Sequence, residues 1–340
     1  MLFFGSDQVA LSTLQRLHSN AALPVGDAQR CVNALAVVCP ASQQQQLQHV
    51  GVDAGELPVR QFAAQHALPL LEKAGAQSLA AWPALDRLAS EFSVAVVVSF
   101  GYFLPHALLA RFTDSAINMH PSLLPRYRGA APIYHALLNG ERETGVSIVT
   151  LDAKRFDAGR VLWQERVPIL RDERYPELAQ RLADIGAQAV LDTLRDLPAR
   201  LGASRAQHGK PTQAPRVSRA DARVRWRAHT VAQIWQRHCA LAAAFGGVHT
   251  VWRGKRVKLL ELLSPHDGSV APPPHVVAAA HAAAPGAAVF DRGAALLWVR
   301  CADGWLGVRR VCVEGKHAVA ARQFVAGYRL SAGDAFADPD

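Results

Sequence analysis

The sequence of 340 residues predicts an α/β protein: a mostly parallel sheet with helices on both faces, then a small β-barrel. Short apolar runs alternate with helical patterns through the front half. Short strand patterns crowd together behind residue 248. Charge also divides the chain. Residues 1–190 carry 16 basic and 17 acidic side chains, whereas residues 191–340 carry 21 and 11. The expected boundaries are 1–197 for the first domain, 198–215 for a linker rich in Ala, Gly, Pro and polar residues, and 216–332 for the second domain.

The elements follow in order. Leu2–Phe4 reads as a first buried strand running into Gly5-Ser6-Asp7, with a helical pattern over Val9–Leu17. Leu35–Cys39 is a second apolar run, ended by Pro40, and Gln43–Gln46 a polar loop. Gln61–His66 resembles a short helix before Leu68–Leu71. Val94–Ser99, rich in valine, is the best buried strand; Ile117–Met119 and Val146–Leu151 are two more. Apolar residues recur at three- and four-residue spacing over Pro176–Leu197, a helix expected to end at Pro198. A second helix covers Val231–Ala244. Val248–Trp252 and Val257–Leu262 flank Arg253-Gly254-Lys255-Arg256 as a hairpin. Ala271–Ala288 is Ala/Pro/His-rich and expected to be a flexible excursion, and Ala295–Arg300 and Trp305–Val313 complete the barrel.

Composition excludes several classes. No apolar run approaches the ~18 residues that span a bilayer; the longest, Phe92–Leu104, is broken by Ser99 and Gly101. Five cysteines, odd in number and without C-x-x-C, argue for a reducing compartment and against a disulfide framework or zinc knuckle. No signal or transit peptide is visible before Leu2. Phosphate-loop, zinc-protease and dinucleotide motifs are lacking, so neither a metal nor NAD is expected. The net charge of +9 points to a polyanionic partner.

In a parallel sheet the ligand lies beyond the C-terminal strand ends. The loops after Ser99, Met119 and Leu151 are therefore the places to look. Asn118 and His120 stand two apart at one strand end, so their side chains share a face. Pro121 and Pro125 stiffen the loop that follows, over Ser122-Leu123-Leu124. Arg155-Phe156-Asp157-Ala158-Gly159 then brings a carboxylate to a neighbouring loop. Asn118 can donate to the oxygen of a tetrahedral intermediate, worth ~10²–10³ in rate. His120 can move a proton between an attacking amine and a leaving nitrogen, worth ~10²–10⁴. Asp157 can orient His120. An isolated N-x-H is weak, but the whole string from Ile117 to Gly129 with the later F-D-A-G is not.

That string, N-x-H-P-S-L-L-P-R-Y-R-G followed by D-A-G, resembles the hallmark of the folate-dependent formyltransferases. The resemblance extends over Gly5–Asp7, Ser99–Pro105, Gly129–Ile133, Glu143–Val146, Pro215–Trp226 and Asp303–Val308. It implies a Rossmann-like formyltransferase domain followed by an OB-like barrel. It implies Asn118, His120 and Asp157 as catalytic residues, and a folate site lined by Phe100, Gly101, Tyr102, Ser122, Leu123, Leu124 and Pro125. The two-domain length and basic second part resemble the members that formylate methionyl-tRNA. Lys154–Asp157 and the D-G-W-L-G-V stretch resemble the animal mitochondrial form. The implied reaction moves the formyl group of 10-formyltetrahydrofolate to the amine of initiator methionyl-tRNA. The implied setting is the mitochondrial matrix, the alternative the cytoplasm; no DNA, membrane or second copy is expected as partner.

Basic residues gather in runs that suit phosphate-backbone binding. Arg216, Arg219, Arg223, Arg225 and Arg227 form one; Arg253, Lys255, Arg256 and Lys258 a second; Arg309, Arg310, Lys316 and Arg322 a third. The first two are the expected tRNA contacts. Trp226 and Trp252 sit among alternating apolar residues and are read as core rather than as base-stacking platforms. Three features depart from the bacterial pattern. Pro40–Val50 has four consecutive glutamines and no Lys or Arg where a basic loop is usual; the His120-to-Asp157 spacing is one residue longer; and Phe245-Gly246-Gly247 replaces a Pro-Trp-Pro turn. Two alternatives remain: a formyltransferase acting on an amino sugar or glycinamide ribonucleotide, and a non-catalytic tRNA-binding factor.

Overall fold

The computed structural model describes residues 1–41, 57–73, 79, 82–268, 271–279, 284–331 and 333–339. The Gln43–Gln46 tract lies outside the described residues. Seven strands form the first sheet: β1 (Leu2–Gly5), β2 (Ala36–Pro40), β3 (Leu70–Lys73), β4 (Val94–Val98), β5 (Ser115–His120), β6 (Glu143–Thr150) and β7 (Val161–Pro168), in the order β3-β2-β1-β4-β5-β6-β7. The first five strands of that order pair in parallel, whereas β6 and β7 pair antiparallel. The chain leaves β1 towards β2 and β3 and returns to β4 on the other side. The crevice between β1 and β4 is thus the topological switch where such sheets bind ligands.

Alternation explains why both faces are buried. Leu2 and Phe4 enter one core while Phe3 enters the other, and Val94, Val96 and Val98 oppose Ala95 and Val97. Helix α1 (Gln8–Ala21) is capped by Asp7, whose carboxylate accepts from Ala10 N at 3.0 Å. Helix α2 (Pro58–Gln65) and helix α3 (Pro83–Ala89) each carry Pro in the first turn, where no amide is needed. Short helices α4 (His106–Leu109) and α5 (Pro132–Leu138) follow β4 and β5. The long amphipathic helix is α6 (Tyr175–Arg195). Pro198 does not end it. The chain breaks at Asp196, and Pro198 starts a separate helix α7 (Leu197–Gly202) from its first turn.

The second domain begins with a 3₁₀ turn at Arg219–Ala222 and helix α8 (Val231–Phe245), whose Thr230 and Gln233 form a capping box. Strands β8 (Val248–Trp252) and β9 (Lys255–Leu262) make the expected hairpin, with both turn residues Arg253 and Gly254 at positive φ. Strands β10 (Ala288–Asp291), β11 (Leu296–Arg300), β12 (Trp305–Val313) and β13 (Ala318–Ala320) complete an antiparallel sheet, and helix α10 (Ala321–Tyr328) covers it. The described part of Ala271–Ala288 is not all excursion: Pro274–Ala279 is helix α9, and Val276 is fully buried.

The C-terminal segment closes the barrel. It bridges Ala335 to Ala287 and Ala337 to Val251, between β8 and the start of β10. Phe336 there packs with Trp226, Trp252 and Phe324, so this packing runs past residue 332. Both tryptophans are core residues, as their neighbours implied. Helix α8 serves both domains. Ala240, Leu241 and Phe245 join the first core, while Ile234, Trp235 and Cys239 join the second. Asp172 pins the junction by accepting from Trp235 Nε1 and Ser264 Oγ, each at 2.8 Å.

Candidate active site

Strand β5 lies between β4 and β6, so its pleat decides what faces the crevice. Ile117 and Met119 enter the helix-covered core, which turns Asn118 and His120 to the other face. Both are nearly buried, at 7 % and 5 % exposure. Asp157 arrives from the loop after β6. Asn118 Nδ2 donates to its Oδ1 at 3.2 Å, Gly129 N donates to its Oδ2 at 2.9 Å, and His120 Nδ1 stands 3.6 Å from Oδ1. The three side chains expected to do the chemistry therefore meet at one carboxylate.

His120 Nε2 lies 2.9 Å from the carbonyl oxygen of Tyr127. A carbonyl only accepts, so Nε2 holds the ring proton and Nδ1 is turned towards Asp157 and the crevice. The segment before Asp157 forms a tight loop. Asp152 Oδ1 accepts from Lys154 N and Arg155 N, which hold this carboxyl below its usual range. Asp157 itself has φ +52°, a conformation Asp tolerates better than most residues. Gly159 is required for close approach, since a Cβ there would fall 1.6 Å from the carbonyl oxygen of Thr150.

The loop after His120 is held from every side. Ser147 Oγ donates to Ser122 O at 2.6 Å, Ser122 Oγ donates to Arg126 O at 2.7 Å, and Gln164 Nε2 donates to Leu124 O at 3.0 Å. Tyr127 OH and Arg126 both pair with Glu141; burial pushes the Tyr127 hydroxyl pKa up. Of the expected folate lining, Ser122, Leu124 and Pro125 are buried, and Leu124 packs with Val149 of β6 and Val161 of β7. Phe100 is core, edge-on to Phe4 at 5.2 Å. Gly101 is exposed, and Tyr102 and Leu123 are half-buried. Leu123, with Arg126, Tyr127, Glu143 and Thr144, lines a shallow surface recess. Two aromatics that the sequence pattern does not single out stand at the mouth: Phe156, 57 % exposed, meets Phe103 edge-on at 5.1 Å.

The linker is the second omission. Instead of hanging between the domains, residues 205–214 lie along the site. Arg205 pairs with Val161, Thr212 Oγ1 accepts from Tyr127 N at 2.8 Å, and Ala214 exchanges backbone hydrogen bonds with Arg128 and Ala131. Gln207 reaches the Asp157 loop. No local pattern in this polar, Ala/Pro-rich stretch signals such contacts.

The basic residues regroup in space. His249 pairs across the hairpin with Lys258 and bridges to Arg223. Burial lowers the His249 pKa, and the charges of Arg256, Arg223, Lys258 and Arg219 lower it further, which marks these four as one patch. Arg225 and Arg227 are exposed beside them in sequence, and Lys255 is exposed at the hairpin tip. Arg256 also pairs with Glu314, an exposed contact of small value. Arg253 pairs with Asp334 and donates to the carbonyl of Tyr328, with its side chain half exposed. Arg216 stands apart at the mouth of the crevice, where a Cβ on Gly101 would lie 3.8 Å from its guanidinium.

A strand-end cluster of Asn, His and Asp in an α/β domain, joined to a β-domain with a basic patch, is the frame of a two-domain group-transfer enzyme. Comparison of the sequence with known families agrees. The formyl transferase domain pattern matches residues 2–194, and the formyl transferase C-terminal domain pattern matches residues 216–329. The chain belongs to the formyl transferase family. Among its relatives, the mitochondrial methionyl-tRNA formyltransferase of Mus musculus is 36 % identical over 329 residues, covering 96 % of this chain and 78 % of the relative. The methionyl-tRNA formyltransferase of Thermus thermophilus is 36 % identical over 313 residues, covering 92 % and 94 %. The fold is shared with WlaRD, a sugar 3N-formyl transferase, at TM-score 0.58 and 15 % identity, covering 93 % of this chain and 98 % of that one. It is shared too with the N-formyltransferase of Helicobacter canadensis, at TM-score 0.59 and 15 % identity over 90 % and 97 %.

Proposed function

We infer that the protein moves the formyl group of 10-formyltetrahydrofolate to the α-amine of initiator methionyl-tRNA. The observation that carries this reading is the meeting of Asn118, His120 and Asp157 at the strand-end crevice, in a chain whose second domain presents a basic patch. Relatives named methionyl-tRNA formyltransferases align over nearly the whole chain, the basic domain included.

The folate supplies a formyl carbon bound to a nitrogen. The amine attacks that carbon directly, so no Ser or Cys nucleophile is needed. His120 Nδ1 takes the proton the amine loses and returns one to the leaving folate nitrogen as its bond to carbon breaks. Nε2 stays committed to Tyr127 throughout, which keeps the ring aimed. Asn118 has a second amide hydrogen to donate to the formyl oxygen as negative charge gathers there. The Asp157 carboxylate, 3.6 Å from Nδ1, balances the imidazolium while it exists. Arg219, Arg223, Arg225, Arg227, Lys255, Arg256 and Lys258 hold phosphates of the tRNA body, and Arg216 stands nearest the acceptor end. The reading places the protein in the mitochondrial matrix; the names of its mammalian relatives carry the word mitochondrial.

The test offers methionyl-tRNA, glycinamide ribonucleotide and an amino sugar nucleotide side by side with the formyl donor. Formylation of methionyl-tRNA alone is expected. Transfer to either small amine in preference to the tRNA, or to none of the three, overturns the reading.

A further inference from the structure

The carboxylate at the centre of the site belongs to a loop that its own domain holds only in part. Asp157 sits in left-handed backbone at φ +52°. Such a residue persists only where its surroundings over-determine it. The side chain has its partners in Asn118 and Gly129. The backbone carbonyls on either side of Ala158 are both met by one side chain from the linker. Gln207 Nε2 donates to Asp157 O at 2.8 Å and to Gly159 O at 2.9 Å. Its Oε1 accepts from Arg128 NH2 at 2.6 Å and Arg128 Nε at 3.2 Å. Arg128 directly precedes Gly129, whose amide holds the other oxygen of Asp157. One carboxamide thus ties the D-A-G turn to the loop that follows His120.

The geometry points to Gln207 as a positioning residue for Asp157, so that the interdomain linker completes the active site. The residue type fits the task. Two donors and one acceptor on a planar amide are what two carbonyls and a guanidinium require. A carboxylate would keep Arg128 but face both carbonyls with negative charge. Gln207 touches neither substrate nor reacting atoms; it acts through the aim of Asp157 on His120. Aim matters steeply, since a displacement near 1 Å can cost roughly a hundredfold in rate.

The inference rests on the formyl-transfer reading, and the experiment separates the two. Full-length Gln207→Met and Gln207→Glu are compared with wild type in steady-state formylation, with thermal midpoints read alongside. Gln207→Met keeps length and removes the hydrogen bonds. Its kcat is expected to fall by roughly ten- to a hundredfold, with KM for tRNA and for the formyl donor held within about twofold. Gln207→Glu keeps the Arg128 pair, hence the linker's anchorage, and is expected to fall further. Arg128→Met combined with Gln207→Met should cost little more than the worse single change, because the two act as one unit. A kcat within about twofold of wild type in both Gln207 variants overturns the inference, as does a loss carried wholly by KM. If wild type proved inactive on every amine, the functional reading would fall alone. The positioning inference is then judged by hydrogen–deuterium exchange over residues 155–160, which should quicken in Gln207→Met; unchanged exchange overturns it.

Discussion

Asp157→Asn isolates the charge at the centre of the site. Asparagine keeps the shape and accepts the left-handed φ of +52° as readily as aspartate, so the backbone has no new reason to move. It cannot reproduce the hydrogen bonds. Oδ2 accepts from Gly129 N and Oδ1 from Asn118 Nδ2, and an amide offers oxygen to only one of them. Whichever way it turns, its NH2 faces a donor. The larger loss is electrostatic. A unit charge 3.6 Å from Nδ1 is worth on the order of 4–5 kcal/mol to the imidazolium at an effective dielectric near 20. That figure is an upper bound, and about 1.4 kcal/mol is a factor of ten in rate. The expected fall in kcat is therefore between about tenfold and about three decades. Single-turnover formylation of methionyl-tRNA at saturating donor reads it, with tRNA affinity measured by filter binding and expected to stay within about twofold. A kcat within about tenfold of wild type would refute the role given to the carboxylate. So would an equal loss of tRNA affinity.

Three further outcomes follow from the same structure. His120→Ala should abolish formyl transfer while the thermal midpoint and tRNA affinity hold, and activity within a few-fold of wild type would remove His120 from the chemistry. Binding of tRNA should weaken steeply with salt, and Arg223→Gln with Lys258→Gln should flatten the slope of log K against log salt by about one for each phosphate no longer held; an unchanged slope would leave the His249 patch as ordinary surface. His238 is fully buried at the domain junction, where burial first and the charge of Arg174 second push its pKa down from 6.5 to about 4. Between those values the unfolded chain binds the proton and the folded one does not, so stability is whole above pH 6.5 and drains as pH falls towards 4. The loss reaches about 3 kcal/mol at most. His238→Leu should flatten that fall in denaturant titrations, and an unchanged pH profile would count against the buried neutral ring.

What could be read locally was read well. The valines of β4, the pleat that sets Asn118 beside His120, the glycine after Asp157 and the hairpin at Arg253-Gly254 all depend on neighbours a few residues away. What could not be read locally has a common cause. Pro198 was expected to stop a helix and instead starts one, because proline's missing amide is no loss in a first turn. The packing of Phe100 on Phe4 was not visible either, since the side on which a loop aromatic falls is decided by the sheet beneath it. Arg253, an expected tRNA contact, pairs with Asp334, 81 residues further on, a partner that no local pattern signals.

The sequence by itself determined which groups the candidate site holds: an amide, an imidazole and a carboxylate, the first two on one strand face. These follow from residue type and a two-residue repeat, which need no knowledge of the rest of the chain. Only the tertiary structure decided how the carboxylate is held and where the charge gathers. Gln207 lies 50 residues from Asp157 and 79 from Arg128, and its role exists only once the linker is laid across the sheet. Arg223, His249 and Lys258 likewise become neighbours through strand register rather than spacing. Hydrogen bonds and Coulomb forces act over a few ångströms of space, and it is the fold that turns distant positions in the chain into near ones.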